Sequence, residues 1–483
     1  MGKAQTRREF LAKAAAAAAA ATSAVSCRTD VEPGEQSMGK AKRPNIVFIL
    51  ADDLGYGDLS CYGATDVRTP VIDGLARDGV RFTSHYAAAP ECSPTRTALF
   101  TGRYLHRVGG LECAIGTTNV GRYDDAIRLA ERHELGLPVE QADLTAALRQ
   151  AGYRMAVYGK WHLGYEKKFL PLRHGFEHFV GILGGHCDYF HHVEITGTHT
   201  LWENDEEIHR DEYMTDIITN ESVAYLRRED PSAARAGQPR PFFLYVSYTA
   251  PHSPYQGVKD RSPRPVPKEQ WNTGPRAKYV EMVEHMDTGI GKILQALADR
   301  GLADNTLVFF VSDNGADRTG RNTPFHGHKS SLYEGGIRVP CIARWPGVLP
   351  RGKVVDEPVI TMDLSASIVG AAGASPPKGR TFDGIDILRH VRTGSAAPKR
   401  PLFWRARRGE RTWRAVRDGP GKYLSRQDGE KFDEWLFDLE SDPDEKDDII
   451  ASRPAEAARL KRLLAEWEDE VRHTRGREKA AAE

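Results

Sequence analysis

The chain has 483 residues, room for one large domain and a smaller appended one once a leader of a few dozen residues is set aside. Lysine plus arginine and aspartate plus glutamate stand at 67 each, and this zero net charge excludes the basic excess of a general nucleic-acid binder, though not a locally basic pocket for a small anion. The hydrophobic share of 40% is that of an ordinary water-soluble globular protein.

Thr6-Arg7-Arg8-Glu9-Phe10-Leu11-Ala12-Lys13 is followed by an apolar stretch from Ala14 to Ala21, too short and alanine-rich for a membrane span. The segment resembles the twin-arginine export motif; the bland alternative is a basic start before an alanine-rich helix. The resemblance implies that the twin-arginine machinery moves the folded chain out of the cytoplasm, to the periplasm or the extracellular space. Ala24-Val25-Ser26-Cys27 resembles a lipoprotein cleavage site with Ala in place of the preferred Leu. Cys27 is therefore either a lipid anchor or part of the leader. Residues 1–27 read as an export signal and residues 28–43, polar with Pro33 and Gly34, as a linker.

At Pro44 the composition changes. Asn45 to Ala51 is a continuous apolar run, the pattern of a strand buried on both faces, and similar runs recur at Met155 to Tyr158, Phe242 to Tyr248, Leu307 to Val311 and Val339 to Ala343. Helical patterns lie between them, at Ala142 to Gln150, Tyr213 to Arg228 and Lys278 to Arg300. The alternation predicts an α/β domain over residues 44–375 with a central, mostly parallel sheet flanked by helices. Ala374 to Arg380, with Pro376 and Pro377, reads as a junction. Beyond it Pro401 to Trp404, Thr412 to Arg417, Lys422 to Leu424 and Glu434 to Asp438 predict a small antiparallel sheet. A helix from about Pro454 to Val471 closes this C-terminal subdomain, residues 376–473, and a charged tail follows at 474–483.

Six cysteines occur, at 27, 61, 92, 113, 187 and 341, with no Cys-x-x-Cys pair, so neither a zinc ribbon nor a thioredoxin-like site is indicated. Cys61, Cys113, Cys187 and Cys341 read as buried free thiols. His186-Cys187-Asp188-Tyr189-Phe190-His191-His192 fits no common zinc spacing; it is either the rim of a sugar pocket or a packed loop.

Two acidic pairs stand at strand ends: Asp52-Asp53 after the first strand and Asp313-Asn314 after Leu307 to Ser312. Ligands of open α/β sheets bind beyond the carboxyl ends of strands, so the four can converge. Clustered carboxylates repel unless a cation joins them, and all-oxygen donors suit calcium or magnesium over zinc. Either pair alone reads as a helix cap or ion pair. In Cys92-Ser93-Pro94-Thr95-Arg96, Ser93 is a good N-cap and Pro94 suits the first helical position; Gly102 stops the helix. Cys92 then sits where the helix dipole and free N–H groups favour an anion, with Arg96 able to reach back toward it.

This segment, continued by Leu99 and Thr101-Gly102-Arg103, resembles the signature of the type I, formylglycine-dependent sulfatases, close to the arylsulfatases and N-acetylgalactosamine sulfatases of the alkaline-phosphatase-like superfamily. Further motifs follow in family order: Gly159-Lys160-Trp161-His162-Leu163-Gly164, Ala250-Pro251-His252, Ser312-Asp313-Asn314-Gly315, His328-Lys329-Ser330-Ser331-Leu332-Tyr333-Glu334-Gly335-Gly336 and Leu436-Phe437-Asp438-Leu439. The resemblance spans Pro44 to about Asp447. It implies an alkaline-phosphatase-like sandwich and a Cys92 oxidised to formylglycine by a separate maturation enzyme. Calcium, with magnesium the lesser candidate, would be held by Asp52, Asp53, Asp313, Asn314 and residue 92. Lys160, Lys329 and His252 would bind the sulfate ester, Arg96 and His162 would hold and activate the aldehyde hydrate, and His252 would protonate the leaving alcohol. If the segment is extended, Lys160 and His162 face one side and Trp161 the other.

The activity implied is hydrolysis of a sulfate monoester, on a glycan or another small molecule. One alternative is a phosphonate monoester or phosphodiester hydrolase of the same superfamily, against which Lys329 and the His328 to Gly336 segment weigh. The other is a non-catalytic sulfoglycan-binding protein, should Cys92 stay unconverted.

Overall fold

A computed structural model describes residues 43–116, 123–228 and 240–482. The twin-arginine segment, Cys27 and nearly all of the linker lie outside the described residues, as do the side chains of the 474–483 tail.

Strand β1 (Asn45–Ala51) shows why the apolar run becomes a central strand. Ile46, Phe48 and Leu50 enter one core while Val47, Ile49 and Ala51 enter the other, so alternate side chains are buried on both sides of the sheet. The strands that follow are β2 (Val80–Phe82), β3 (His85–Tyr86), β4 (Arg154–Gly159), β5 (His178–Ile182), β6 (Leu201–Glu203), β7 (Glu206–Glu207), β8 (Phe242–Ser247), β9 (Thr306–Ser312), β10 (Cys341–Arg344), β11 (Lys353–Val355) and β12 (Val359–Ile360). Ten form one sheet in the order β11-β2-β10-β9-β1-β8-β4-β5-β6-β7, while β3 and β12 pair separately. The central run β9-β1-β8-β4-β5 is parallel; β10 enters antiparallel between β9 and β2, and β6 and β7 are antiparallel at the far edge. The mostly parallel α/β architecture is as predicted.

Register decides where the chemistry lies. Ala51 of β1 pairs with Ser312 of β9, so the residues after each strand emerge side by side. The Asp313 amide donates to Ala51 O at 3.1 Å, and that of Asp52 donates to Ala250 O at 3.1 Å.

Helices α1 (Pro70–Arg77), α2 (Cys92–Thr101), α3 (Asp124–Glu131), α4 (Asp143–Gln150), α5 (Met214–Arg228), α6 (Arg276–Asp299), α7 (Glu334–Ile337), α8 (Thr361–Ala371) and α9 (Ile387–Thr393) cover the sheet and its edges. All ten residues of α2 are buried, its Phe100 ring packing on Trp161 and Tyr245. Its N-cap is Glu91 in extended geometry, one helical turn opening at Cys92 itself rather than after a Ser93 cap. Ser93 fails as a cap because its hydroxyl accepts the Ile115 N–H instead. Gly102, at φ 65°, ends the helix as expected.

The C-terminal sheet is a meander of β13 (Leu402–Arg408), β14 (Arg411–Asp418), β15 (Gly421–Asp428) and β16 (Lys431–Asp438), longer than the sequence pieces suggested and antiparallel throughout. Helix α10 (Pro454–Ala482) runs past the Val471 end predicted for it. The described residues from Arg43 onward belong to a single compact unit, because a third core joins this sheet to α2, the β3–β12 pair and the loop before α7. In it Trp404, Leu424, Leu436 and Trp467 pack with Tyr86, Ala98, Leu332 and Ile360. Among the described residues no helix is long and apolar enough to cross a membrane.

Candidate active site

The loops after β1 and β9 bring the two acidic pairs together. Asp53, held at a left-handed φ of 60°, donates its backbone N–H to Asp313 Oδ1 at 3.2 Å and accepts from Asn314 Nδ2 on its own Oδ1 at 2.7 Å. Cys92 opens α2 beneath them, its Sγ 3.3 Å from Asp52 Oδ1 and 3.9 Å from Asp53 Oδ1. One cationic side chain meets each carboxylate. Lys160 Nζ donates to both Asp52 oxygens at 2.8 and 2.7 Å, Lys329 Nζ to Asp53 Oδ2 at 2.7 Å, and Arg96 Nη2 to Asp313 Oδ2 at 2.9 Å.

Arg96 does not turn back to the thiol. Its Nη1 donates to Lys160 O at 2.9 Å and Ser247 Oγ at 2.6 Å, because the Asp313 carboxylate and these oxygens lie along its side chain at the carboxyl ends of β9, β4 and β8. His162 sits on a left-handed backbone, φ 57°, so its segment is not simply extended, yet Trp161 does point away, into the core beside His174 and Phe176. His162 Nε2 donates to Ile115 O at 2.6 Å and its buried Nδ1 has no hydrogen-bond partner. His252 Nδ1 donates to Ser253 O at 2.7 Å, leaving Nε2 to accept from Lys329 Nζ at 3.0 Å.

A cavity of about 390 Å³ opens above this cluster. Asp53, Cys92, His162, His252 and Lys329 line it, whereas Asp52, Arg96, Lys160, Asp313 and Asn314 form a buried layer behind. The site is thus two-tiered, with Lys160 in the rear tier.

Burial raises the Asp52 carboxyl, Lys160 lowers it, and Asp313 and Asp53 raise it again, to about 7. Burial also raises Asp53, but Lys329, His252 and Lys160 outweigh it and hold the group below its ordinary value. Burial and the Lys329 charge push His252 down to about 3, and burial with Lys160 pushes His162 well below 6.5, so both rings are neutral near pH 7. Burial and the Asp313 and Asp52 charges push the Cys92 thiol well above 9.0, which makes the unmodified residue a poor thiolate nucleophile.

The residues present fit a hard cation. Asp52, Asp53, Cys92 and His252 each bring one ligand atom within 4.8 Å of the others, and the buried Asn314 Oδ1 has no hydrogen-bond partner. Asp313 falls outside that tightest group, its oxygens occupied by the Asp53 amide and by Arg96.

The His186 to His192 segment divides between a cavity rim and a packed loop. His186 lines the cavity and stacks on His252 at 5.4 Å between ring centroids. The rest is a packed loop in which Asp188 Oδ1 accepts the Phe190 and His191 amides and the Tyr189 hydroxyl lies 2.8 and 2.9 Å from the Thr249 and His252 carbonyls. Sequence reasoning missed Glu91, Tyr165, Glu194, Asn272, Asp317 and Arg408 on the cavity wall; scattered single polar residues carry no periodic or spacing signal. Cys61, Cys92, Cys187 and Cys341 are free thiols, Cys61 half-buried and the others buried.

Comparison with known proteins bears on what such a site does. The family model described as Sulfatase matches residues 44–374. N-acetylgalactosamine-6-sulfatase of Canis lupus familiaris is 34% identical over 388 residues, covering 77% of this chain and 70% of that protein. Steryl-sulfatase of Homo sapiens is 30% identical over 430 residues, covering 72% and 69%. The crystal structure of Ps i-CgsB in complex with k-i-k-neocarrahexaose superposes with a TM-score of 0.74 at 29% identity, covering 88% of this chain and 93% of that one.

Proposed function

The chain belongs to the sulfatase family and is a sulfuric ester hydrolase, and from that premise we propose that it cleaves a sulfate monoester carried by a carbohydrate. The observation that carries the sugar reading is the cavity lining. His186, Glu194, Thr196, Asn272, Asp317 and Lys329 offer hydrogen-bonding groups around a volume of about 390 Å³, which suits a hydroxyl-rich ring better than a sterol. A relative named for N-acetylgalactosamine 6-sulfate chemistry and a solved structure holding neocarrahexaose point the same way.

The reaction is R–OSO3⁻ + H2O → R–OH + SO4²⁻ + H⁺. In this reading a maturation enzyme converts Cys92 to formylglycine, whose hydrate supplies a hydroxyl that attacks sulfur and a second that releases sulfate. Asp52, Asp53, Asp313, Asn314 and residue 92 would hold calcium, which when bound supplies positive charge to the sulfate oxygens.

The chain's own side chains do the rest. Lys329 is the cation on the cavity wall and meets the sulfate oxygens; Lys160 acts from the rear tier, becoming free to reach forward when Asp52 engages another cation. His162 presents a neutral Nδ1 with an open lone pair, placed to take a proton. His252, neutral, accepts from Lys329 Nζ at 3.0 Å and so aims the ammonium; the leaving oxygen takes its proton from this Lys329–His252 pair, Lys329 being the member that carries it. Arg96 fixes Asp313, the Lys160 carbonyl and Ser247, and keeps the rear tier rigid. The twin-arginine pair supports export as part of the same proposal.

The test is direct. Peptide mass spectrometry of protein from its native host should show Cys92 as the aldehyde or its hydrate, and Cys92→Ala should release no sulfate. A panel of sulfated mono- and oligosaccharides should contain substrates. An intact thiol in active native enzyme, or a panel with none cleaved while aryl sulfates are, would overturn the corresponding half.

A further inference from the structure

A second cavity, of about 190 Å³, lies beside the first and shares Glu91, Ser330 and Arg408 with it. Its outer wall is the hairpin between β13 and β14, which contributes Arg407, Arg408, Arg411 and Trp413. The shared residues form a closed set of hydrogen bonds. Arg408 Nη1 donates to Glu91 Oε1 at 2.8 Å and to Ser330 Oγ at 3.1 Å, and the Ser330 hydroxyl donates to the same Glu91 oxygen at 2.8 Å. Glu91 Oε2 accepts the Ala114 N–H at 2.7 Å. The carboxylate between the two cavities is thereby neutralised and will not repel an anion that spans them.

The remaining arginines are only loosely engaged. The other acid in this wall, Glu112, is occupied by Arg405, which donates to both of its oxygens at 2.8 Å. Arg407 lies 3.8 Å from Glu112, and Arg411 makes its ion pair with Asp428 at 2.7 Å where both are well exposed. An exposed pair of this kind is screened by solvent and yields easily to a stronger acceptor. Trp413 lines this cavity and is nine-tenths buried, its Nε1 enclosed in the protein rather than open to the cavity. Guanidinium groups with only exposed or shared acid partners, beside a neutralised carboxylate, are what a cavity kept for an anion presents.

We propose that this cavity is a second subsite, which takes an anionic group, sulfate or carboxylate, on the sugar next to the one whose ester is cleaved. The inference rests on the carbohydrate reading above and deepens it: the substrate is an oligosaccharide bearing a further negative charge on the neighbouring ring. The single-charge ester goes to the first cavity, and the second anion engages Arg407 and Arg411.

The experiment measures binding to the Cys92→Ala protein, which cannot turn substrate over. Three matched disaccharides carry the same sulfate ester on one ring and a sulfate, a carboxylate or a plain hydroxyl on the other. At least one dianionic probe should bind about tenfold more tightly than the neutral one, and which does so identifies the anion. Arg411→Ala and Arg407→Ala should each bring that ratio toward one. No preference in the parent protein, or a preference untouched by both substitutions, overturns the subsite. Turnover by the matured wild type is read separately. Cleavage without preference refutes only the subsite, preferential binding without cleavage refutes only the carbohydrate reading, and failure of all three to bind refutes both.

Discussion

Lys160 and Asp52 form a fully buried ion pair in which one ammonium group meets both carboxylate oxygens, at 2.8 and 2.7 Å. Together with Lys329 on Asp53 and Arg96 on Asp313, it gives the cluster three positive and three negative groups. The site is therefore near charge balance before any metal arrives.

Lys160→Met should cost on the order of 3–5 kcal/mol of stability, because it leaves Asp52 buried and unpaired. Calcium should restore part of the loss by replacing the missing charge. Urea unfolding of both proteins, with calcium and with chelator, measures both effects. A variant as stable as wild type in chelator would show that Lys160 is not the counter-ion in solution.

Lys329→Ala should raise KM and lower kcat for sulfate esters, by about two to three decades in kcat/KM, since one charge-assisted contact in a dry site is worth roughly 2–4 kcal/mol. His252→Ala should chiefly lower kcat, and less for nitrophenyl sulfate, whose leaving group needs little protonation. Steady-state kinetics on a sugar sulfate and the aryl ester separate the two. Equal losses on both esters in His252→Ala would remove it from the proton path, and a phenyl phosphonate cleaved in preference to the sulfate would favour the phosphonate-hydrolase alternative.

Gly185→Ala should abolish most activity with the fold intact. A Cβ there would stand 2.7 Å from His162 Cε1 and 2.8 Å from Nε2, so the ring must move and lose its hydrogen bond to Ile115 O. Circular dichroism and a thermal melt would show the fold, and kcat the loss. Undiminished kcat would mean that the position of the His162 ring is immaterial.

A pH effect is expected far from the active cavity. Lys422 Nζ lies between two buried carboxylates, 2.9 Å from Glu334 Oε1 and 2.8 Å from Glu445 Oε1. Burial raises Glu445, Lys422 opposes and Glu334 reinforces, and the group reaches about 7 against an ordinary 4.5. Below about 4.5 it is protonated folded and unfolded alike, so it contributes nothing. Between 4.5 and 7 the fold keeps a proton that the unfolded chain releases, so stability falls as pH rises, and the full penalty stands above 7. Glu445→Gln should flatten that slope and gain about 1–3 kcal/mol over wild type at pH 8. Melting temperatures at pH 5 and pH 8 measure it; parallel slopes in the two proteins would refute the assignment.

The sequence carried the strands best where burial on both faces left an unbroken apolar run, as at Asn45–Ala51 and Thr306–Ser312. Helix α8 (Thr361–Ala371) went unread because it is buried nearly all round and shows no polar face to set a period, and the 3-residue β2 is too short to register. Of the site, the contiguous motifs named residues that the structure gathers at and behind one cavity. What a linear pattern could not give was depth: that Lys160 and Arg96 stand behind the cavity wall while Lys329, more than 160 positions from Lys160, stands in it. Nor could it give Arg408 and Glu91, joined only when the C-terminal hairpin folds back over α2.

The joint between the two sheets limits how relatives of this protein can be recombined. Trp404 Nε1 donates to Ala87 O, Lys422 from β15 is clasped by Glu334 only five residues beyond Lys329, and Arg408 of β13 reaches the residue next to Cys92. A chimaera that exchanged residues 400–483 as a cassette would sever a buried tryptophan donor, a buried ammonium and the bridge beside the nucleophile in one cut. Exchange of substrate preference is better attempted at Arg411 alone, whose partner Asp428 is exposed, so that no buried charge loses its mate.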